Sequence, residues 1–349
     1  MRIGRACGII AYQIEDCVGG KNKWEQRIYY WPIYKNLEKE LLDLSYSIHF
    51  CDGQLEVFSA QIAELLIRCS VEIESLIKDL YRQEKKTEPK NVGKALLSLN
   101  NDWCLDKKVV IVSAPSMYFS SDENKAFAPL GYKPTTKEEE ADENDYYRAY
   151  CAVKHDRVKN IKKANQRVLL RAIASLYLLN VYYRNEVFDV GTVSTKVPFD
   201  TALQSDVFAV KYAVLNNSRY SGDELAKIPD VTYVGILTAE GQQKAQKSMV
   251  AFNQKIVERA VTQIRKDPES AIEKIKNGAS GQDLVTSVLT DPNVNVASLA
   301  GASLKDYLGA KCEAVLNKGQ NMLQAQTTAD EATRGDDTKP SHFNTKKSS

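Results

Sequence analysis

The 349-residue chain carries 47 basic against 45 acidic residues, and its 43% hydrophobic and 26% charged content is that of a soluble globular protein. A formal charge of +2 excludes a global pull toward nucleic acid, so polyanion binding has to come from local clustering. There is no run of about 18 apolar residues for a membrane span, and the opening MRIGRACGIIAYQIEDC is too soon acidic for a signal peptide, so a cytoplasmic protein without membrane contact is expected.

Residues 1–30 carry no strong period and read as a loosely packed lead-in. Pro32 suits the first turn of a helix, where its missing N–H is unused, and Ile33, Leu37, Leu41, Leu44 and Ile48 follow at helical spacing. Cys51-Asp52-Gly53 marks a turn. From Leu55 to Leu80, the positions Leu55, Phe58, Ile62, Leu65, Cys69, Ile73, Leu76 and Leu80 predict a second, long helix with one buried face. Pro89 breaks the pattern, a short helix is expected over Val92–Leu99, and Lys107–Ser113 reads as a strand. The stretch from Ala114 to Asn144 is loop-like and ends in an acidic tract that suits the N-terminus of a following helix.

That helix is the centre of the pattern. Tyr147, Tyr150, Val158, Ile161, Val168, Ala172, Leu176, Leu179 and Tyr183 predict one amphipathic helix over 145–184. At about 100° per residue, Lys154 and Asn165 fall inside its apolar stripe, while Arg148, Cys151, His155 and Lys162 line one edge. A polar group aimed at a core needs a partner or a wet cleft. On the second helix Glu72 lies at the stripe's edge and is the better candidate to meet Lys154, whereas Glu74 and Lys78 are spaced for a surface ion pair; the plainer reading leaves both glutamates solvated. Tyr146, Tyr147 and Tyr150 read as core before base-stacking platforms. The run Arg157, Lys159, Lys162, Lys163, Arg167 and Arg171 is either a phosphate-tracking ridge or a solvated face.

Beyond Arg184 the β-branched and aromatic pairs with Gly and Pro punctuation predict a connector with short strands over 186–238, including VTYVGIL. A small all-helical module is expected over 239–323, built from Ala239–Lys266, Pro268–Lys276, Gly281–Leu289 and Ser303–Leu316, and it is the part that would bind a protein partner. The tail 324–349 has few apolar residues and is expected to be disordered, which leaves His342 without a catalytic role. Cys7, Cys17, Cys51, Cys69, Cys104, Cys151 and Cys312 form no C-x-x-C pair and read as reduced thiols; no metal site and no cofactor are expected. P-loop, dinucleotide-binding, serine-hydrolase and zinc-protease signatures are absent from the sequence.

The residues Tyr146-Tyr147, Tyr150 and Val153-Lys154-His155-Asp156-Arg157, with Glu72-Ile73-Glu74 on the preceding long helix and the approach AFAPLGYKP, resemble the HEPN-like family, in particular its bacterial and phage-borne members with a KHxR element. The resemblance covers about residues 33–184 and implies a mainly α fold, a long-helix bundle over 31–185. It further implies RNA binding or metal-independent RNA cleavage of the kind found in toxin and defence systems, with a composite site across a homodimer. In active members an arginine precedes a histidine by four to six intervening positions; Arg148 and His155 have six between them, and Ala149 replaces the usual polar residue after the arginine.

The residue chemistry runs parallel to this. Arg148 and His155 are two helical turns apart, about 10 Å along the axis, and both can reach one phosphate. Histidine exchanges a proton near neutral pH, and a cation stabilises a pentavalent phosphorane. His155 and Arg148 are therefore the catalytic candidates, with Lys154, Arg157, Lys162, Tyr150 and Glu72 as substrate-binding candidates. The rival expectation is a non-catalytic scaffold in which Lys154 and His155 are internal struts. Solvent access separates the two: a strut is enclosed and paired, a catalytic histidine is open beside Arg148.

Overall fold

The structure, a computed structural model, describes residues 23–132, 142–214, 228–281, 283, 286 and 296–319. Most of the expected lead-in, Cys7, Cys17, most of the acidic tract, most of Gly281–Leu289 and the tail with His342 lie outside these residues. The chain is mainly helical, with two small sheets.

Helix α1 (Lys23–Ser47) starts nine residues before Pro32, which sits inside it rather than at its first turn. The reason is the buried face: Tyr30 and Tyr34 carry the stripe upstream of Leu37, Leu41 and Leu44, while Ile33 is 38% exposed. After the single turn Asp52–Gln54, Ser59 caps α2 (Ala60–Lys85), its side chain accepting from the Ile62 N–H. Ile62, Leu65, Cys69, Ile73, Leu76 and Leu80 are buried as their spacing predicts; Leu55 is buried too, but in the lead-in loop. Helix α3 (Val92–Trp103), capped by Asn91, runs one turn beyond the expected Leu99 because Trp103 packs into the core, stacked on Tyr182 at 5.3 Å. A short turn α4 (Asp122–Lys125) precedes the central region, which is α5 (Tyr146–His155), α6 (Arg157–Asn160) and α7 (Gln166–Arg184).

Helix α7 is the axis of the fold. Its residues are buried almost all round, and α1, α2, α5 and strand β4 pack on it. A helix enclosed in this way must satisfy its own polar side chains. Ser175 donates to the Arg171 carbonyl at 2.8 Å and Asn180 to that of Leu176 at 2.9 Å, each folding back on its own helix.

The strands are β1 (Val110–Val112), β2 (Ala126–Phe127), β3 (Phe188–Thr192), β4 (Phe208–Val210), β5 (Tyr212–Val214), β6 (Tyr233–Leu237) and β7 (Lys311–Leu316). One antiparallel sheet has the order β2-β1-β4; the other has the order β3-β7-β6-β5, with only β5 and β6 parallel among its pairs. The C-terminal region contains α8 (Ala239–Lys266), α9 (Pro268–Lys276) and α10 (Val296–Leu308), but it is not all helical. Where Ser303–Leu316 was expected to be one helix, α10 stops at Leu308 and β7 follows. KCEAVL alternates in register with a strand, burying Ala314 and Leu316, and it pairs on both edges. Just beyond it the Asn317 carbonyl accepts from the Tyr182 hydroxyl of α7 at 2.8 Å, so the end of the described chain is fastened to the central helix.

Candidate functional site

The predicted single helix over 145–184 is broken twice, each time by a short polar side chain that caps a new start. Asp156, at φ −150° and ψ 89° outside the helical region, ends α5 and accepts from the Lys159 N–H at 3.1 Å. Asn165 accepts from the Val168 N–H at 3.1 Å and opens α7. Such side chains compete with the continuing helix for backbone groups. Asn160 fills the corner, donating to the carbonyls of Ala152 and Asp156. Asn165 is therefore buried as a cap, with Nδ2 on Glu56 at 2.7 Å, and not as a polar group inside a stripe. Val158, counted in the apolar stripe, is 93% exposed because the chain has already left the helix.

Helix α5 starts at Asp145, which caps the Arg148 N–H at 3.0 Å and whose carboxyl is raised above its ordinary range by burial. Its inner face is Tyr146, Ala149, Tyr150 and Val153, all buried. Tyr146 and Tyr150 are thus core residues; Tyr147, 36% exposed, lies at the boundary. The Tyr150 ring is buried, but its hydroxyl accepts from Lys154 Nζ at 3.0 Å, and that hydrogen bond raises the lysine's pKa. Lys154 itself is exposed, not inside the apolar stripe, because α5 ends one residue later.

The expected Glu72–Lys154 contact does not form. Glu72 faces the groove between α1 and α2, lined by Pro32, Ile33, Leu37, Ile67 and Val71, and its carboxyl is raised by burial alone. The carboxylate acting on Lys154, Tyr147 and Cys151 is Glu74, which sequence spacing had assigned to a surface pair with Lys78. Spacing places a residue on its own helix but does not give the rotation of that helix toward α5. Burial raises the Cys151 thiol, keeping it protonated and a poor nucleophile.

His155 is exposed at the C-terminal end of α5, and its ring has no hydrogen-bond or ion-pair partner among the described residues. Arg148, two turns back on the same helix, is half-buried and lies in the field of Asp145. The basic run divides into two. Arg167 pairs with Glu56 at 3.2 Å and Glu143 at 3.1 Å. Arg171 is buried against the Phe127 ring at 4.1 Å, donates to Asn144 at 2.5 Å, and is lowered to about 10 chiefly by burial. These two are engaged by partners within the chain. Arg157, which reaches Glu64 at 3.5 Å, and Lys159, Lys162 and Lys163 remain exposed in the segment that follows α5.

Among the described residues no group of three or more His, Cys, Asp or Glu side chains is placed to hold a metal ion, and no helix is long and apolar enough to cross a membrane. The five described cysteines are free thiols. Comparison of the chain with protein-family models, with characterised proteins and with solved structures gives no match.

Proposed function

We propose that the protein is a HEPN-like RNA-binding protein that grips the phosphate backbone at the corner between α5 and α7 and cleaves it without a metal through His155 and Arg148. The observation that carries this reading is the state of His155: an open imidazole without an internal partner, at the end of the helix that bears Arg148, among the exposed cations Lys154, Arg157, Lys159 and Lys162. An internal strut would be enclosed and paired. In the proposed reaction the imidazole takes the proton of a ribose 2′-hydroxyl while the 2′-oxygen attacks phosphorus. The P–O5′ bond breaks, leaving a 2′,3′-cyclic phosphate and a 5′-hydroxyl that takes up a proton. Arg148 stabilises the pentavalent phosphorane. DNA, lacking the 2′-hydroxyl, resists. Tyr150 and Glu72 have no place in this site; Tyr150 instead orients Lys154.

Fluorescence anisotropy with a labelled single-stranded RNA, titrated against salt, tests the grip: each phosphate neutralised contributes about −0.7 to the log–log slope, so Lys159→Glu and Lys162→Glu should flatten it. His155→Ala should abolish cleavage while thermal stability stays within about one degree, as for a surface change. Equal turnover in His155→Ala, or no RNA binding at about 50 mM salt, would end the proposal.

A further inference from the structure

The groove between α1 and α2 has no role in the reading above. The two helices run antiparallel there, with Glu40 meeting Arg68 at one end and Tyr30 meeting Ser75 at the other. The groove is open, has a volume of about 560 Å³, and is walled by Pro32, Ile33 and Leu37 on α1 and by Ile67, Val71 and Glu72 on α2. Ile33 and Val71 are 38% and 47% exposed, so apolar surface faces water inside it.

Its polar groups are not equivalent. Arg68 on the rim is held by Glu40 in a two-pronged pair at 2.6 and 2.8 Å, and Asn36 donates its Nδ2 to the same carboxylate at 2.9 Å, so that cation is already answered. Glu72 is half-buried beside the apolar walls and has no hydrogen-bond or ion-pair partner among the described residues. Burial alone raises its carboxyl above the ordinary range. A carboxylate with apolar neighbours and no counter-charge is complementary to a cation carried on an apolar body.

The dimensions limit what that body is. Pro32 to Leu37 and Ile67 to Glu72 each span about one and a half turns, about 8 Å along the axis. A docking helix sets down anchors from i to i+7, over about 10 Å, and needs a longer trough. The volume lies instead within the range of small-molecule sites, about 300–1,000 Å³.

We infer that the α1–α2 groove binds a small organic ammonium ion, an apolar chain or ring bearing a protonated amine, with Glu72 as its counter-ion and Ile33, Leu37, Ile67 and Val71 around the apolar part. The site shares no residue with the RNA reading, and neither depends on the other.

Ligand-observed NMR titration of the full chain at pH 7 tests it, with 4-phenylbutylamine as the probe and 4-phenylbutanol as its neutral match. A Kd of about 1 mM or tighter is expected for the amine, as for a ligand of that size, and one about tenfold weaker for the alcohol. Glu72→Gln should erase that preference while the alcohol binds as before, with a melting curve unchanged or higher because an unpaired half-buried charge has gone. Ile33→Ser should weaken both probes alike. Equal binding of amine and alcohol, an amine preference that survives Glu72→Gln, or no binding of either probe up to about 20 mM overturns the assignment.

Discussion

Glu38 should be among the most costly buried polar side chains of this fold to remove. It is fully buried on α1, and its carboxylate accepts from the Tyr34 hydroxyl at 2.6 Å, the Ser205 hydroxyl, and the backbone N–H groups of Asp206 at 3.0 Å and Val207 at 3.2 Å, with Lys35 as counter-ion. These bonds fasten a turn in which Leu203 and Gln204 both take left-handed backbone, at φ 53° and 74°. For residues with a Cβ that conformation costs about 1–2 kcal/mol each, so the turn needs an external hold. Glu38→Ala leaves both the Asp206 N–H and the Ser205 hydroxyl without their acceptor, while Tyr34 and Val207 keep a weaker one in Ser205 Oγ. At about 1–3 kcal/mol for each buried group left unsatisfied, and with Ser205 compensating in part, the loss is about 3–5 kcal/mol. A chain of this size shifts by about 2 °C per kcal/mol, so Tm should fall by roughly 6–10 °C. Glu38→Gln keeps the shape and one acceptor but turns an NH₂ toward donors, and about half that loss is expected. Scanning calorimetry at neutral pH measures both. A Tm for Glu38→Ala within about 2 °C of wild type would refute the argument that this carboxylate pins the turn.

Other perturbations test other parts of the fold. Lys108 is buried with Nζ on the Pro229 carbonyl at 2.8 Å, and burial lowers its pKa to about 8 from 10.5. Between those values the unfolded chain holds the proton and the folded one does not, so this group's contribution to stability rises with pH across that window. About 3 kcal/mol of destabilisation is present below pH 8 and is lost by about pH 10.5. Lys108→Met should therefore melt higher than wild type at pH 7 and the gap should close by pH 10.5; urea titrations at the two pH values decide it, and a gap that widens with pH contradicts the assignment. Asn165→Ala removes the α7 cap and the Glu56 contact together, and should cost about 1–2 kcal/mol in denaturant unfolding. Tyr182→Phe deletes the buried bond to the Asn317 carbonyl, at about 1 kcal/mol; hydrogen exchange should then quicken at β7 before it does at α2, and uniform quickening would mean the strand is not fastened there.

Which parts of this molecule were legible in the sequence follows from where the determining interactions lie. Helix α2 could be read because its buried face repeats within one element and Ser59 caps it locally. Strand β7 could not: six residues of KCEAVL become a strand only between β3 and β6, and those partners lie about 75 to 120 residues upstream. The broken central helix is an intermediate case. Asp156 and Asn165 are good caps and were visible as residues, but the apolar spacing continues through Val158 and Ile161, and only the exposure of Val158 shows that the period there was coincidental. The same reasoning sorts the candidate site. That Arg148 and His155 share one face needs only the helical repeat and survives the break, since both lie within α5. Which glutamate meets Lys154 depends on how α2 is rotated about its axis against α5, a tertiary quantity, and a step of two residues, about 200°, separates Glu72 in its groove from Glu74 beside Lys154. Lys154 was expected inside the apolar stripe of the central helix. Instead the helix ends just past it, and Lys154 and His155 are both exposed, the lysine with its Nζ on the Tyr150 hydroxyl.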